Sequence, residues 1–552
     1  MHFGKRFKVA ITLSSLMCVM GADAVGQESY MQPWRPQYHF TPAKNFMNDP
    51  NGMVFYKGEY HLFFQYNPQG QVWGHMSWGH AVSTDMVHWK ELGVAIPEDA
   101  NYMIYSGSAV VDWNNSSGLC RSADAKDQSC LIAIYAAAYK NLQKTHIAYS
   151  NDRGRTWTNY AGNPVIDVGA EDFRDPYVFW YEPEKKWMLV AVLADHRKAL
   201  FFSSQDLKKW TKLSEFGPAG DDSGQWECPL LLDLPIEGSD EHRAVLVINR
   251  NPGAPAGGTG VRYLVGHFDG TTFTEKESAG KKLWADYGKD FYATNVFNDM
   301  QGMTPTFSRK MGKDRAAPVR RVWVGWTSNW LYAKDEPTES WRGAQSIPRS
   351  LGLRWVGVPM DLTVGGGQKT HSSKNGPGGA PAPELLMVQA PVRELQKLRS
   401  TAFILNNASV QEAKAQMTES LVHGGAYEIE AELEPGAASE IGFKLRKGDG
   451  VETIIGVIPA TNMLFVDRTK SGDMYFNDQF SGRFITTLSE TRRVKPHIFV
   501  DRSIVEVFAN DGEKVMTDRI YPPADCNGIE VYSQGGGRIV SMTVWPMGSA
   551  WK

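Results

Sequence analysis

Asn48-Asp49-Pro50-Asn51-Gly52-Met53-Val54-Phe55-Tyr56-Lys57-Gly58-Glu59-Tyr60-His61-Leu62-Phe63-Phe64-Gln65-Tyr66 carries two signals in one stretch. Its second half is a β-hairpin by pattern: residues 52–56 and 60–66 are rich in strand formers and meet across Lys57-Gly58-Glu59. Its first half holds an aspartate in a tight Pro/Asn/Gly turn, directly after Phe46-Met47. Such a turn fixes the backbone around Asp49. A short carboxylate on a rigid support suits a nucleophile or general base, because small misplacements cost rate. Taken alone, Asp-Pro-Asn-Gly is more often a plain Asx-turn between strands.

Outward from this hairpin, strand signals continue at 131–135, 144–149, 177–180, 186–190 and 199–202, and extended helical periodicity is nearly absent before residue 385. A weak repeat runs through the same region. Ser83-Thr84-Asp85 precedes Trp89, Ser150-Asn151-Asp152 precedes Trp157, and Ser204-Gln205-Asp206 precedes Trp210; Phe268-Asp269-Gly270 before Phe273 is a degenerate fourth copy. The spacing is near that of a four-stranded propeller blade. Residues 363–383 turn rich in Gly, Ser, Lys and Pro, as in a loop or linker, and a short helical pattern follows at 391–398. Alternating strands return at 427–433, 441–445, 497–500 and 503–508, with a turn at Asn510-Asp511-Gly512, which suits an antiparallel β-sandwich. The chain is therefore expected to be all-β, with a signal segment at 1–24, a propeller at 30–360, a linker at 361–399 and a sandwich at 400–552.

With 552 residues the chain exceeds one ordinary core, and 42% apolar with 22% charged residues suits a globular protein. Lys5, Arg6 and Lys8 precede an apolar run at 9–20, and Ala22-Asp23-Ala24 fits a cleavage site, so secretion or periplasmic export is expected, with cleavage near Ala24. The apolar run is too short for a comfortable membrane span. Removing these residues subtracts three positive charges and one negative, moving the net charge from −3 to −5. A mildly acidic chain without a basic stripe argues against nucleic acid as partner. Beyond Cys18 the cysteines are Cys120, Cys130, Cys228 and Cys526; their spacing suggests no zinc site. Cys120 and Cys130 flank a polar loop and form a candidate disulfide, whereas Cys228 reads as a buried thiol.

Three acids stand out: Asp49, Asp175 in Phe173-Arg174-Asp175-Pro176, and Glu227 in Trp226-Glu227-Cys228-Pro229. Each adjoins a proline or turn near a strand start, and equivalent strand ends of successive blades face one channel. Glycoside hydrolysis uses two carboxyl groups of unlike character, one ionised and one protonated. Glu227, between Trp226 and Cys228, is expected to lie in an apolar surround that favours its proton. Asp49, with turn donors and Asn48 beside it, is expected to be the ionised partner. Arg174 either holds Asp175 charged or binds substrate hydroxyls, and Asp175 can stabilise oxocarbenium-like charge.

These residues resemble glycoside hydrolase family 32, the invertases, exo-inulinases and levanases. The likeness extends through Phe64-Gln65-Tyr66-Asn67-Pro68, Trp73-Gly74, Trp78-Gly79-His80-Ala81, Ser106-Gly107-Ser108, residues 286–293, Gly325-Trp326 and Arg502-Ser503, covering nearly all of the mature chain. The resemblance implies a five-bladed propeller with a C-terminal β-sandwich. It implies Asp49 as nucleophile, Glu227 as general acid/base and Asp175 as transition-state stabiliser. Asn48, Gln65, Trp73, Ser106 and Arg174 would line the pocket for a terminal fructose, while Tyr292 and Trp330 fit packing as well as binding. Tyr105 stands where many members carry Trp, and Tyr177 where Lys is common. The activity implied is that of an exported retaining β-fructofuranosidase acting on levan or inulin and on sucrose, with no metal or organic cofactor. Fructosyl transfer on the same scaffold and a non-catalytic fructan-binding protein are the alternatives. Linkage preference, exo or endo action, and oligomeric state stay open at this level.

Overall fold

Apart from Met1, the computed structural model describes residues 30–121, 126–221, 223–300, 320–357, 383–419 and 424–551. Residues 2–24 of the expected signal and 361–382 of the expected linker lie outside these. The described chain folds as a β-propeller followed by a β-sandwich.

Five sheets succeed one another in the first part, antiparallel but for the short parallel pairing of Trp341–Arg342 with Asn45–Tyr56 in the first. The opening hairpin forms as read, with Asn45–Tyr56 against Glu59–Asn67 in the register Phe55 to Tyr60 and Tyr56 to Glu59. The innermost strands of the five sheets are Asn45–Tyr56, Met103–Asp112, Phe173–Tyr181, Gln225–Pro235 and Tyr292–Val296, each followed outward by its sequence neighbours. Their apolar residues face those of the next sheet: Val178, Leu189 and Phe202 pack with Ile132 and Ile147 between the second and third sheets.

The sequence repeat has a common structural cause. In each of the first three sheets the Ser-x-Asp turn joins the third strand to the fourth. Ser83, Ser150 and Ser204 each donate their hydroxyl to the aspartate two residues on, at 3.2, 2.8 and 3.2 Å. The following Trp89, Trp157 and Trp210 donate their indole N–H back to a carbonyl of the same turn. In the degenerate copy Asp269 still accepts from the backbone N–H groups of Thr271 and Thr272. The turn is thus a self-contained hydrogen-bonded unit of side chain and backbone, which is why it recurs with short polar residues.

The strand Glu384–Pro391 falls inside the segment expected to be linker; it pairs with Arg349–Val356 and completes the fifth sheet. The short helical pattern after it is a 3₁₀ helix, Arg393–Leu398. The second part contains a six-stranded and a five-stranded sheet packed over a shared apolar core that includes Ile429, Phe443, Val466, Val507 and Val531. A helix at Val410–Glu419, before the first strand read from the sequence at 427–433, was not expected. Ser409 caps it: its hydroxyl accepts from the Glu412 N–H while Glu412 accepts from the Ser409 N–H.

The two parts meet along a seam of buried charge. Arg349 reaches Asp286 at 3.0 Å and Glu506 at 2.7 Å, and His39 lies between Asp501 at 2.9 Å and Glu506 at 3.1 Å. Gly512, in the turn read as Asn-Asp-Gly, has φ +80°, and an added Cβ would sit 1.8 Å from the carbonyl oxygen of Gln389. Only glycine lets the sandwich turn approach the last propeller strand this closely.

Candidate active site

Each of the five innermost strands breaks its regular pairing where a site residue stands. Register shifts fall between Met47 and Pro50, Ile104 and Gly107, Glu227 and Leu230, and Tyr292 and Asn295, and opposite Arg174 to Tyr177. In an unbroken strand side chains alternate between faces; an irregularity re-aims one of them. Here the irregularities turn Asp49, Ser106, Asp175, Glu227 and Tyr292 toward one cavity. Four of the strands also hold a residue at positive φ: Gly52 (+52°), Asp175 (+59°), Cys228 (+41°) and Ala293 (+51°). At Gly52 an added Cβ would meet Phe63 at 2.7 Å and Trp78 at 2.8 Å.

This corrects the reading of Asn48–Gly52 as a turn between strands. Asp49 lies within a single strand, Asn45–Tyr56, whose proline and asparagines create the bulge rather than an end.

The cavity has a volume of about 460 Å³. The three acids Asp49, Asp175 and Glu227 line it, together with Asn48, Gln65, Trp73, Ser106, Arg174, Tyr292 and Trp330. Every candidate residue from the sequence therefore opens onto the same space. Trp73 is 43% exposed and forms part of the rim, edge-on to Tyr105. Trp330 lines the cavity and also packs on Trp326 and Phe46. Below, the channel is filled by hydrogen-bonded asparagines. Asn295 donates to the carbonyls of Pro50 and Gly107, and Asn298 to those of Ala109 and Val178. The cavity is thus a pocket with a closed floor. Tyr177 belongs to this floor, donating to Asn298 at 3.1 Å, and does not line the cavity.

Asp49 accepts from the Ser106 hydroxyl at 2.6 Å, from Asn48 at 2.8 Å and from the Cys228 thiol at 3.5 Å. Burial pushes its pKa up to about 6; Ser106, Asn48 and Cys228 oppose the rise, and the nearby Glu227 charge adds to it. Asp49 is therefore less acidic than its donors alone suggest. Asp175 accepts from the Cys228 backbone N–H at 2.9 Å. Burial raises its pKa to about 7, with Arg174 opposing and the charges of Glu227 and Asp49 contributing. The Cys228 thiol is itself raised well above its ordinary value by burial and the surrounding acids, so it stays a neutral donor.

Glu227 departs from expectation. Trp226 points the other way, its indole N–H donated to Asp221 at 3.0 Å, as strand alternation requires. Glu227 instead accepts from Arg174 at 2.9 Å and from the Tyr292 hydroxyl in a short hydrogen bond. Its surround is polar, not apolar. Arg174 is correspondingly committed to Glu227 and stands 3.9 Å from Asp175.

Two buried polar atoms at the cavity, Asn48 Oδ1 and Gln65 Nε2, have no protein partner. Unmatched donors and acceptors of this kind are costly unless a ligand or water meets them. They mark the lower wall as a hydroxyl-binding surface.

Tyr105, noted where many family members carry Trp, also lines the cavity, and two lining residues were missed altogether: Gln143 and Asn251. Asn251 ends a strand at Asn251-Pro252-Gly253, a turn signal comparable to those around the acids. Gln143 offers no such signal. Among the described residues the side chains able to group around a metal are Glu428, Glu430 and His497, in the sandwich. Arg399 already binds both glutamates, at 2.6 and 2.9 Å, so the trio is satisfied without an ion. Cys120 and Cys130 are joined in a disulfide.

Comparison with known proteins covers most of the chain. The model of the glycosyl hydrolases family 32 N-terminal domain matches residues 39–359, and that of the family 32 C-terminal domain matches 394–546. A levanase from Bacillus subtilis is 43% identical over 99% of this chain and 76% of its own length. An extracellular exo-inulinase from Aspergillus awamori is 34% identical over 95% of this chain and 96% of its own. The crystal structure of that exo-inulinase superposes with a TM-score of 0.80, covering 95% of this chain and 100% of the other. A fructofuranosidase from Schwanniomyces occidentalis, solved with fructose, gives 0.78 at 29% identity, covering 93% and 98%.

Proposed function

This chain belongs to glycosyl hydrolase family 32 and is a glycoside hydrolase; we propose that it is an exported, retaining β-fructofuranosidase that removes terminal fructosyl units from levan or inulin and cleaves sucrose. One observation carries the mechanism. Asp49, Asp175 and Glu227, from three separate strands, line one dead-end pocket around a single guanidinium. A closed floor favours entry of a chain end over passage of a whole chain.

In this reading the Asp49 carboxylate attacks the anomeric C2 of the terminal fructose. The C2–O bond breaks as Glu227 gives its proton to the leaving oxygen, and a fructosyl ester on Asp49 results. Glu227 then takes a proton from water, which attacks C2 and releases fructose with retained configuration. Three carboxyl groups around one Arg174 carry more negative charge than it offsets, so the cluster keeps a proton close to neutral pH. Tyr292 and Arg174 orient Glu227 for its delivery. Asp175, kept close to the ring by the Cys228 N–H, takes hydroxyl hydrogen bonds that strengthen as positive charge develops at C2. Asn48 Oδ1 and Gln65 Nε2 supply the remaining polar partners.

We take the five successive sheets as five blades, with the propeller ending near Pro391 and the sandwich starting near Phe403. No helix among the described residues is long and apolar enough to cross a membrane.

A product time course on inulin, levan and sucrose tests this reading. Fructose alone at early times supports exo hydrolysis. Early oligomers from polymer, or longer oligosaccharides from concentrated sucrose, would replace it with endo action or transfer.

A further inference from the structure

At the far end of the same inner strands lies a second cavity, of about 350 Å³. Ser106 and Asp175 stand near the start of Met103–Asp112 and Phe173–Tyr181; this cavity is lined by residues toward the end of those strands, 110–112 and 179–180, and by Glu182 just beyond. At about 3.3 Å per residue the nearest lining residues of the two cavities along these strands, Ser106 to Val110 and Asp175 to Phe179, are roughly 13 Å apart. The asparagine floor separates them, so the second cavity takes no part in the chemistry.

Its walls, among the described residues, are built around Trp113, Trp180 and Trp187. Each indole N–H is already used. Trp113 donates to Asp299 at 3.1 Å, Trp180 to Glu182 at 2.7 Å and Trp187 to the Ser116 hydroxyl at 2.9 Å. The rings are therefore fixed in place, with their apolar surfaces left to line the space. Glu182 and Asp299 each retain acceptor capacity, since a carboxylate oxygen accepts more than one hydrogen bond. Held aromatic surfaces beside carboxylate acceptors match the two sides of a sugar: C–H groups on one face, hydroxyl donors at the edge. The volume lies within the range of about 300–1,000 Å³ typical of small-molecule sites. Lys185 also lines the cavity and is paired with Glu182, so with Asp112 and Asp299 the lining stays net negative, which disfavours an anionic ligand.

We propose that this cavity is a second carbohydrate-binding site, which holds a sugar unit of a fructan chain away from the catalytic pocket. The inference rests on the fructan reading above. It gives the enzyme a grip on polymer that does not depend on a chain end, so its benefit falls on polymeric substrate and not on sucrose.

The test is electrophoresis of the full chain through native gels containing levan or inulin. A Glu227→Gln background prevents digestion, and saturating fructose fills the catalytic pocket. The parent should be retarded under these conditions. Trp180→Ala, and Asn114→Trp placed to obstruct the exposed rim, should each weaken polymer binding by about tenfold, as loss of a buried aromatic anchor does. The same two changes in the active enzyme should raise KM on polymer and leave sucrose turnover within about twofold, because they lie far from the reacting atoms. Should Trp180→Ala fail to fold, Asn114→Trp alone decides. The inference is overturned if fructose abolishes all retardation, or if the variants run like the parent. An enzyme that releases no fructose from any fructoside would instead remove the reading on which the inference stands.

Discussion

The acids of the catalytic pocket and those of the seam between propeller and sandwich are the same residue types, yet they are served very differently. At the seam Glu506 and Asp286 have both carboxylate oxygens met, although burial raises the pKa of Asp286 there too. Glu506 accepts from Arg349, His39 and the Ile347 N–H; despite burial, Arg349 and His39 hold its pKa below the ordinary value. Asp286 accepts from Arg349, from both the N–H and hydroxyl of Thr517, and from the Gly288 N–H. In the pocket, the one arginine is committed to Glu227, Asp49 and Asp175 are pushed upward without a close cation, and amide atoms of Asn48 and Gln65 have no partner. A buried acid with all its partners organises a fold; one left short of them is available for chemistry.

The largest effect is expected at Glu227. Glu227→Gln keeps the shape and the Tyr292 contact but removes the proton carrier. It should lower kcat on sucrose by roughly 10²–10⁴-fold with little change in stability. If activity persists, the division between the two clusters fails at its most important residue.

Next comes the seam. Arg349→Met strands Asp286 and Glu506 and should cost about 3–5 kcal/mol in denaturant unfolding. The fraction that stays folded should keep its kcat on sucrose. A loss of kcat in fully folded protein would mean that the seam also shapes the pocket.

A smaller effect of opposite sign is expected at Asp175. Its folded pKa of about 7 stands above the ordinary 3.8, so between those values the folded state holds the proton more tightly than the unfolded chain. Stability is therefore lost as pH rises through that window. Asp175→Asn keeps an acceptor for the Cys228 N–H and removes the charge. It should melt a few degrees higher than the parent at pH 7 while losing activity, the gain vanishing below about pH 4. The parent's activity should fall as pH drops from about 7 to below 6, where first Asp175 and then Asp49 takes up its proton.

Much of this was readable from residues. The Ser-x-Asp repeat marked the sheets because its turn closes its own hydrogen bonds, and Asp49, Arg174, Asp175 and Glu227 stood in local motifs that the strand irregularities require, while the other six pocket residues came from the family resemblance. What sequence could not supply was direction. Glu227 was expected to face its chain neighbours, but strand alternation sends Trp226 to the core and Glu227 to Arg174. Tyr177 follows Asp175 directly yet belongs to the channel floor. Gln143 enters from a strand start with no turn chemistry to flag it. Strand Glu384–Pro391 was hidden because it follows a stretch rich in loop formers, and its pairing partner, Arg349–Val356, lies before that stretch.

The most direct test of the central claim is to trap the intermediate. Glu227→Ala protein, mixed with a fructoside whose leaving group needs no protonation, should accumulate one fructosyl unit on the peptide carrying Asp49, seen by mass spectrometry after rapid acid quench. An unmodified Asp49 peptide, together with first-formed fructose of inverted configuration, would contradict it.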